Sequence, residues 1–244
     1  YLQATIFKDE YIQPQLVNTS AERLVKDVFT GSYPYASLII GTLSEAIDLA
    51  HLNPQLLYVP KQNVLKNFNS DFGDELYILE EHASDGHQHL GGKNFTGEII
   101  STEDMLAEIM ADEAIIIDQE AYIKARLFDM LIGDWDRHQD QWRWMKYNEN
   151  GQKVYRPLPR DRDQAFSKMS DGLLLGAAVI LIPPAKLLRK YEPNISSIEG
   201  FNFEPLPLDI TLLETLDKNV WQQQALFIQK QITDEVIENA FKNV

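Results

Sequence analysis

The sequence predicts an α+β fold, with strands and helices mixed in the first half of the chain and mainly helices in the second. Residues 55–60 and 75–80 are short, aliphatic and aromatic-rich, and turn residues separate them, which indicates a strand pair. Residues 141–147 and 153–156 flank an Asn-Gly turn signal, which indicates a hairpin. Several segments after residue 101 have apolar residues at helical spacing.

Capping residues locate two of the helices. Ser101 opens a capping-box pattern with Asp104, so a helix should begin there and run to about residue 114. Asp118 is the expected cap of a longer helix that ends at Gly133. The expected apolar face of this longer helix is Ala121, Ile123, Leu127, Met130 and Leu131.

The remaining elements are expected to be scaffold. Residues 81–101 are predicted to be a polar loop. Asp217 is the expected cap of a C-terminal helix. The other expected elements are a strand at 4–7, helices at 21–29 and 38–52, and C-terminal helices from about residues 212, 220 and 233.

Composition and charge narrow the possible functions. A chain of 244 residues can bury a full core, as one large domain or as two lobes that share a cleft. Its formal net charge of -15 argues against nucleic acid or anionic lipid as a partner, because binding to phosphate backbones draws on clustered positive charge. The chain has no cysteine, which excludes disulfides, thiolate metal sites and cysteine nucleophiles.

The sequence predicts no transmembrane segment. The longest apolar run, at 173–184, is too short to cross a bilayer, and no signal peptide is visible. Because the chain begins with Tyr1 rather than Met, we expect it to be a processed product or a piece of a longer protein.

Two acidic stretches lie beside apolar runs. The first is a helix that leads into a loop with Asp134, Asp136 and Asp140, and the second loop carries Asp161 and Asp163. Burial of an ionised aspartate is costly unless the side chain is paired, hydrogen-bonded or bound to a metal. We therefore expect the two loops, with the hairpin between them, to bring several carboxylates to one point.

Three familiar sites fit the acidic loops poorly. A calcium loop of the EF-hand type would need a glycine at its sharp turn and a glutamate at the twelfth position, where the sequence has Met145. The spacing does not single out a glycosidase pair of carboxylates. A Ser-His-Asp triad would need a nucleophile elbow, and none is visible.

The polar loop offers a separate metal site. Two imidazoles and a carboxylate suit zinc and similar ions. The sequence shows no structured second shell around these side chains, which disfavours a metal here. The residues are His82, Asp85, His87 and His89.

Phosphoryl transfer fits the order of the acidic residues best. It requires one carboxylate to orient an attacking hydroxyl, and an amide oxygen with a further carboxylate to hold magnesium on the phosphates. The chain has Asp136, then Gln141, then the hairpin, then Asp161 five residues before Phe166. This order predicts a magnesium-dependent site between the two loops.

At these residues the sequence resembles atypical protein-kinase-like folds. Gly133-Asp-Trp-Asp-Arg-His-Gln-Asp-Gln-Trp142 and Arg160-Asp-Arg-Asp-Gln-Ala-Phe166 look like their catalytic and metal loops. The group includes type II phosphatidylinositol 4-kinases, HipA-type toxin kinases, CotH spore-coat kinases and Fam20 secretory kinases. Most of the chain also resembles an uncharacterised kinase-like domain of Bacteroidetes surface-antigen or phosphoesterase proteins, whereas the wider likeness rests on residues 125–166.

The resemblance implies a catalytic loop at 136–138. Asp136 would be the catalytic base, followed by Arg137 and His138. Each of these two neighbours could instead have a purely structural role. Arg137 could be an ion-pair partner of Asp134 or Asp163, and His138 could cap the loop by hydrogen bonding.

The resemblance also implies the metal ligands. Asp161 would be the main ligand of Mg²⁺ (or Mn²⁺), because it precedes Phe166 by five residues, and Asp163 is the alternative. Gln141 would be the second ligand. Related loops have asparagine at this position, and glutamine has a longer side chain with the same donors and acceptors.

For the nucleotide, ATP, the resemblance points to the first third of the chain. Glu80 and Glu81, at the end of the strand pair, would lie near an adenine pocket. Lys8 would pair with the phosphates, with Glu22 or Glu45 as its helix partner.

The implied architecture is a two-lobed, kinase-like unit. Residues 1–85 would form a small, partly β lobe, which is incomplete if a phosphate loop lies upstream of Tyr1, and residues 86–244 would form a helical lobe with the catalytic and metal loops. The implied partners are a nucleotide and an unidentified phosphoacceptor. The implied location is a bacterial envelope, in the periplasm or at the surface, with a cytoplasmic location left open.

One departure from the kinase-like pattern supports a second possible function. The sequence has no glycine-rich phosphate loop. A pseudokinase-type module that binds nucleotide or a partner without catalysis is therefore the alternative function.

Overall fold

The computed structural model of the protein describes residues 2–4, 31–168, 190–195, 197–213 and 216–242. Two of the expected site residues, Lys8 and Glu22, lie outside these ranges. The same holds for the helix expected at 21–29, for most of the strand expected at 4–7 and for the apolar run at 173–184.

The first sheet contains the predicted strand pair. Its strands are β1 (Leu2–Ala4), β2 (Gln55–Val59) and β3 (Glu75–Leu79), in the antiparallel order β1-β3-β2. A 3-10 helix at Asn63–Phe68 and a single turn, α2 (Asn69–Phe72), connect β2 to β3. The strand pair is therefore confirmed.

Helix α1 (Ala36–Ala46) lies between β1 and β2 in the chain. It is shorter than the helix expected at 38–52. The backbone N–H of Ile47 bonds to Ser44, and Asp48 has a left-handed backbone with φ of 52°. A left-handed residue cannot continue the helix, so α1 ends there.

The second sheet is built around the predicted hairpin. Its strands are β4 (Phe95–Ser101), β5 (Ile116–Ile117), β6 (Trp142–Glu149) and β7 (Gln152–Pro159), in the order β4-β6-β7-β5. The hairpin turn has positive φ at Asn150 (55°) and Gly151 (85°), as a type I′ turn requires. The hairpin is confirmed.

The expectation of a loop throughout 81–101 is wrong for its last part. Phe95, Gly97 and Ile99 are buried at every second position, and β4 pairs with β6. An alternating pattern of this kind is typical of a strand with one face on the core. Gly91 and Gly92, just before this strand, gave the whole stretch the composition of a loop, so the strand was not predicted.

The described helices after β4 follow the predicted caps. They are α3 (Thr102–Ala111), α4 (Gln119–Ile132), α5 (Ile198–Phe201), α6 (Leu206–Leu213), α7 (Lys218–Gln231) and α8 (Asp234–Lys242). Ser101 Oγ accepts from the N–H of Asp104 at 3.1 Å, and Asp118 accepts from the N–H of Ala121 at 2.9 Å. Asp217 caps α7 as expected. The helix expected to begin near residue 212 instead ends at Leu213.

Helix α4 lies at the centre of the molecule, packed against β7 and α7. The predicted apolar face is right for Ile123, which is fully buried, and wrong for Leu131, which is 43% exposed. The helix also buries Tyr122, Phe128 and Ile132, which lie outside the predicted face. A helix covered from two sides buries a wide face, which here includes charged residues that an apolar periodicity does not count.

Tryptophans of β6 fill the core above α4. Trp142 and Trp144 are fully buried, and both rings lie close to the ring of Tyr122, with centroids 4.9 Å and 5.8 Å away. Both tryptophans therefore belong to the core, whereas Trp135 is half-buried. Within the described residues, no helix has the length and apolar character needed to cross a membrane.

Candidate functional site

The two acidic loops meet at the open end of the β6–β7 hairpin. Trp142 pairs with Pro159, so the residue before β6 and the residue after β7 are neighbours. The N–H of Arg160 donates to the carbonyl of Gln141 at 3.0 Å. Gln141 Nε2 donates to Asp161 Oδ2 at 3.3 Å. The structure therefore brings Gln141 and Asp161 into direct contact.

Asp136 approaches the same point from the end of α4. The helix ends at Gly133, whose φ of 72° turns the chain out of the helix and into the loop. Burial raises the pKa of the Asp136 carboxyl, His138 and Arg137 oppose this rise, and the charge of Asp161 adds to it. The carboxylates of Asp136 and Asp161 are thus close enough to interact.

Asp161 has an unusual backbone. Its φ of 54° is in the left-handed region, which costs a non-glycine residue about 1 kcal/mol or more. Aspartate adopts this conformation more readily than most residues. Strain of this kind is common where a side chain is held for a function, and here it turns the Asp161 carboxylate toward Gln141.

A cleft of about 450 Å³, including the solvent at its mouth, opens beside Asp161. Ile78 and Glu80 from β3 and its C-terminal end line one wall, and the segment 159–163 lines the other. Burial raises the pKa of Glu80 to about 7, and the negative charge of Asp161 contributes to the rise. Glu80 therefore lies across the cleft from segment 159–163.

Glu81 has partners elsewhere. Its two carboxylate oxygens lie 3.1 Å from His87 Nε2 and 2.9 Å from His89 Nε2, and Glu81 is not among the cleft residues. Asp85 accepts from the N–H of Ile99. Within the described residues, no group of three or more histidine, aspartate or glutamate side chains is placed to hold a metal ion.

Arg137 is fully buried, so its assignment as a group that acts on a substrate is corrected. Its guanidinium donates to the carbonyls of Arg160 at 2.9 Å and Gln141 at 3.0 Å, and it lies 3.5 Å from Asp134 Oδ2. It also lies over the ring of Trp142, 4.7 Å from the centroid. Arg137 thus joins the two loops, and of the two ion-pair partners expected for it, Asp134 is the one observed.

His138 caps the loop, as its structural reading predicts. Its Nδ1 accepts from the N–H of Asp140 at 3.3 Å. Its other ring nitrogen, Nε2, lies 3.9 Å from Asp136 Oδ1, and the side chain is 39% exposed. His138 can therefore influence the charge of Asp136 while it holds the loop turn.

The remaining expected residues divide between the cleft and the surface. Asp163 lines the cleft and accepts from Gln164 Nε2 at 3.0 Å. Glu45 is exposed on α1. Magnesium prefers oxygen ligands and commonly takes only one or two carboxylates, with phosphates and water completing its shell. Glu80, Asp161 and Asp163 bring carboxylate oxygens to the cleft, and Gln141 contacts Asp161 from beside it.

Sequence reasoning missed a cluster of buried charges beneath the loops. Arg126, Asp129 and Arg162 belong to it, and Asp129 has no exposed surface. The available signal was the pair Arg126 and Asp129, spaced by three residues within a helix that is otherwise largely apolar on this side. Ionised side chains at such positions indicate a buried network rather than a surface.

Comparisons with known proteins add weak likenesses to kinases. No protein family and no curated protein matches this chain. The proinflammatory kinase CtkA of Helicobacter pylori has 11% identity and a TM-score of 0.32, over 85% of this chain and 86% of CtkA. HipA, in a toxin-antitoxin complex of Shewanella oneidensis, has 12% identity and a TM-score of 0.30, over 83% of this chain and 57% of HipA.

At these scores neither likeness supports an argument about function. The chain is a mixed α and β protein with small sheets and helices. The resemblance to a Bacteroidetes domain stays a prediction.

Proposed function

We propose that this chain is a magnesium-dependent phosphotransferase that moves the γ-phosphate of ATP to a hydroxyl group of a protein, lipid or small molecule. The contact between Gln141 and Asp161 at the end of the hairpin supports the proposal. Asp136 lies in the loop that leads to Gln141, and the charge of Asp161 contributes to its raised pKa. Phosphoryl transfer needs this set of groups: a carboxylate for the attacking hydroxyl, and an amide and a carboxylate for the metal.

Each residue has a distinct role in the proposal. Asp161, with the amide oxygen of Gln141, holds Mg²⁺ (or Mn²⁺) on the phosphates of the nucleotide. Asp136 accepts the proton of the attacking hydroxyl. Its pKa, raised by burial, makes it a stronger base than an ordinary aspartate.

The cleft beside Asp161 is the proposed nucleotide site. The walls contribute Glu80, Asp161 and Asp163, so the phosphates would be repelled without a bridging cation. A divalent metal is therefore required for nucleotide to bind. The roles of Lys8 and Glu22 and the envelope location stay predictions.

The proposal is tested by phosphate transfer from ATP in aspartate-to-asparagine variants. We expect Asp136→Asn and Asp161→Asn each to lower kcat by about 100-fold or more, which is the usual effect of losing a general base or a metal ligand. Asp140→Asn removes the same charge from an exposed position in the same loop, and should stay within about twofold of the wild type.

Asp163→Asn completes the set. If Asp163→Asn lowers kcat as much as Asp161→Asn does, both carboxylates bind the metal. If only Asp163→Asn lowers kcat, Asp163 is the metal ligand and Asp161 is not. If all four variants keep the rate of the wild type, the proposed site is wrong.

One observation favours the alternative, a pseudokinase-type module. The sequence has no glycine-rich loop of the kind that covers the nucleotide phosphates in protein kinases. A thermal-shift measurement with ATP and Mg²⁺ separates the two functions. Stabilisation by nucleotide without any turnover by the wild type would favour binding without catalysis, whereas no stabilisation would contradict both.

A further inference from the structure

A cluster of buried charges lies directly beneath the two loops. Its members come from α4, from both loops and from α6. Burial of ionised groups is tolerable only when each has close partners of opposite charge, and the loss of one partner leaves the others uncompensated. Burial raises the pKa of one member, Asp134, to about 8, so that carboxyl is mainly neutral at neutral pH. We call this the charge cluster, and it consists of Arg126, Asp129, Asp134, Arg137, Arg162 and Asp209.

Asp129 lies at the centre of the charge cluster. Its Oδ1 accepts two hydrogen bonds from Arg162, from Nε at 3.0 Å and from Nη2 at 2.8 Å. Its Oδ2 lies 3.3 Å from Arg137 Nε and 3.3 Å from Arg126 Nη1. Its backbone carbonyl also accepts from the N–H of Asp134 at 2.9 Å.

These contacts link Asp129 to both functional loops. Arg162 stands between Asp161 and Asp163 in the metal loop, and Arg137 follows Asp136 in the catalytic loop. One carboxylate on α4 therefore contacts a residue of each loop. Both arginine side chains are buried, so their guanidinium groups are held within the molecule.

Aromatic rings restrict the two arginines further. Arg162 lies over the ring of Phe128, 4.9 Å from the centroid, and Arg137 lies over Trp142. A planar guanidinium held by a ring on one side and a carboxylate on its edge has little freedom to move. The positions of Asp129 and these rings thus set where the two loop backbones lie.

We propose that Asp129 is a positioning residue that holds the catalytic and metal loops at a fixed separation. This inference rests on the proposed phosphotransferase function. Without the carboxylate of Asp129, the positive charges of Arg126, Arg137 and Arg162 face one another in a buried site, and their repulsion separates the loops. Asp136 and Asp161 then no longer meet at the distance that the reaction requires.

The charge cluster supplies a matched control. Asp209 on α6 pairs with Arg126 Nε at 3.0 Å and accepts from the hydroxyl of Tyr122 at 2.8 Å. It contacts the side of the cluster away from both loops. Asp209→Asn therefore removes an ion pair of the same cluster, and Asp129→Asn removes one that contacts the loops.

The experiment combines hydrogen exchange with kinetics. Amide exchange is followed in the peptides that cover 134–141 and 160–163, in the hairpin and in α7, for the wild type and both variants. Phosphate transfer from ATP is measured on the same samples. We expect Asp129→Asn to speed exchange in the two loops and to lower kcat about 10- to 100-fold, with KM for ATP little changed. Asp209→Asn should leave exchange in both loops at the level of the wild type.

Three results would overturn the inference. One is unchanged exchange in both loops of folded Asp129→Asn. Another is faster exchange that is equal in the loops, the hairpin and α7, since this describes a general loss of stability. The third is selective loosening of the loops with kcat unchanged.

Failure of the proposed function is a separate outcome. If the wild type transfers no phosphate, that function fails, and the exchange pattern alone decides whether Asp129 positions the loops. If Asp129→Asn does not fold, Arg162→Gln replaces it. That variant breaks only the link to the metal loop, so exchange should quicken at 160–163 and not at 134–141, and unchanged exchange at 160–163 would overturn the inference.

Discussion

Substitution of Gly133 by alanine tests how tightly the end of α4 is held. Gly133 has a φ of 72°, and a Cβ added there would lie 2.7 Å from Cδ2 of Tyr191. A left-handed alanine costs about 1 to 2 kcal/mol relative to glycine. Crowding against a packed ring typically adds about 1 to 3 kcal/mol. Alanine also restricts the unfolded chain more than glycine does, and this offsets about 0.4 to 1 kcal/mol of the destabilisation. We therefore expect Gly133→Ala to destabilise the protein by about 1 to 5 kcal/mol.

Gly151 provides the matched control. Its φ of 85° is also left-handed, but an added Cβ would meet no atom within 4 Å. Gly151→Ala should therefore show only the backbone cost, about 1 kcal/mol after the effect on the unfolded chain. The difference between the two variants measures the contact with Tyr191.

Urea unfolding of the two variants, and of Gly133→Ala combined with Tyr191→Ala, completes the test. Removal of the ring should recover the part of the loss that is due to crowding, which a double-mutant cycle isolates. If Gly133→Ala and Gly151→Ala cost the same, or if removal of the ring recovers nothing, the contact does not determine how α4 ends.

Four further predictions concern the core and the titrating groups. Trp144→Ala should cost about 3 to 5 kcal/mol in urea unfolding, because the buried ring fills the core. Burial raises the pKa of Asp134 to about 8, so this carboxyl stabilises the fold most below about pH 4 and less as the pH rises toward 8. Asp134→Asn should therefore flatten the measured fall in stability over that range. Because the pKa of Asp136 is raised, the acid limb of the pH-kcat profile should lie above the range of an ordinary aspartate, about 3.9, and a limb at the ordinary value would contradict its role as the base. Mg²⁺ bound to Asp161 should lower the pKa of Glu80 from about 7, so addition of Mg²⁺ at pH 7 should release protons in the wild type and not in Glu80→Gln, as measured by calorimetry in two buffers.

Local sequence signals predicted that Gln141 and Asp161 would lie close together. The turn at Asn150 and Gly151 indicates a hairpin, and a hairpin places the residue before its first strand beside the residue after its second. Gln141 and Asp161 meet for this reason, at 3.3 Å. Gly133 marked the end of α4 correctly, because a left-handed cap is a local requirement of the backbone.

The predicted roles of single side chains were less accurate. Arg137 follows Asp136 in sequence, but its burial removes it from any direct contact with a substrate. Glu80 and Glu81 are adjacent in the chain, yet only Glu80 lines the cleft, while two histidines take the carboxylate of Glu81. Which side of the backbone faces the cleft depends on the packing of β3, and that packing is not encoded in the two residues themselves.

The sequence alone determined the strand pair, the hairpin, the helix caps and the meeting of the two acidic loops, because each follows from interactions between residues close in the chain or joined by one tight turn. Only the tertiary structure decided which charges are buried. Asp129 and Arg162 lie 33 positions apart and meet only after α4 packs beneath the hairpin. The stability of such a pair depends on the solvent it excludes, which is a property of the assembled core and not of either residue.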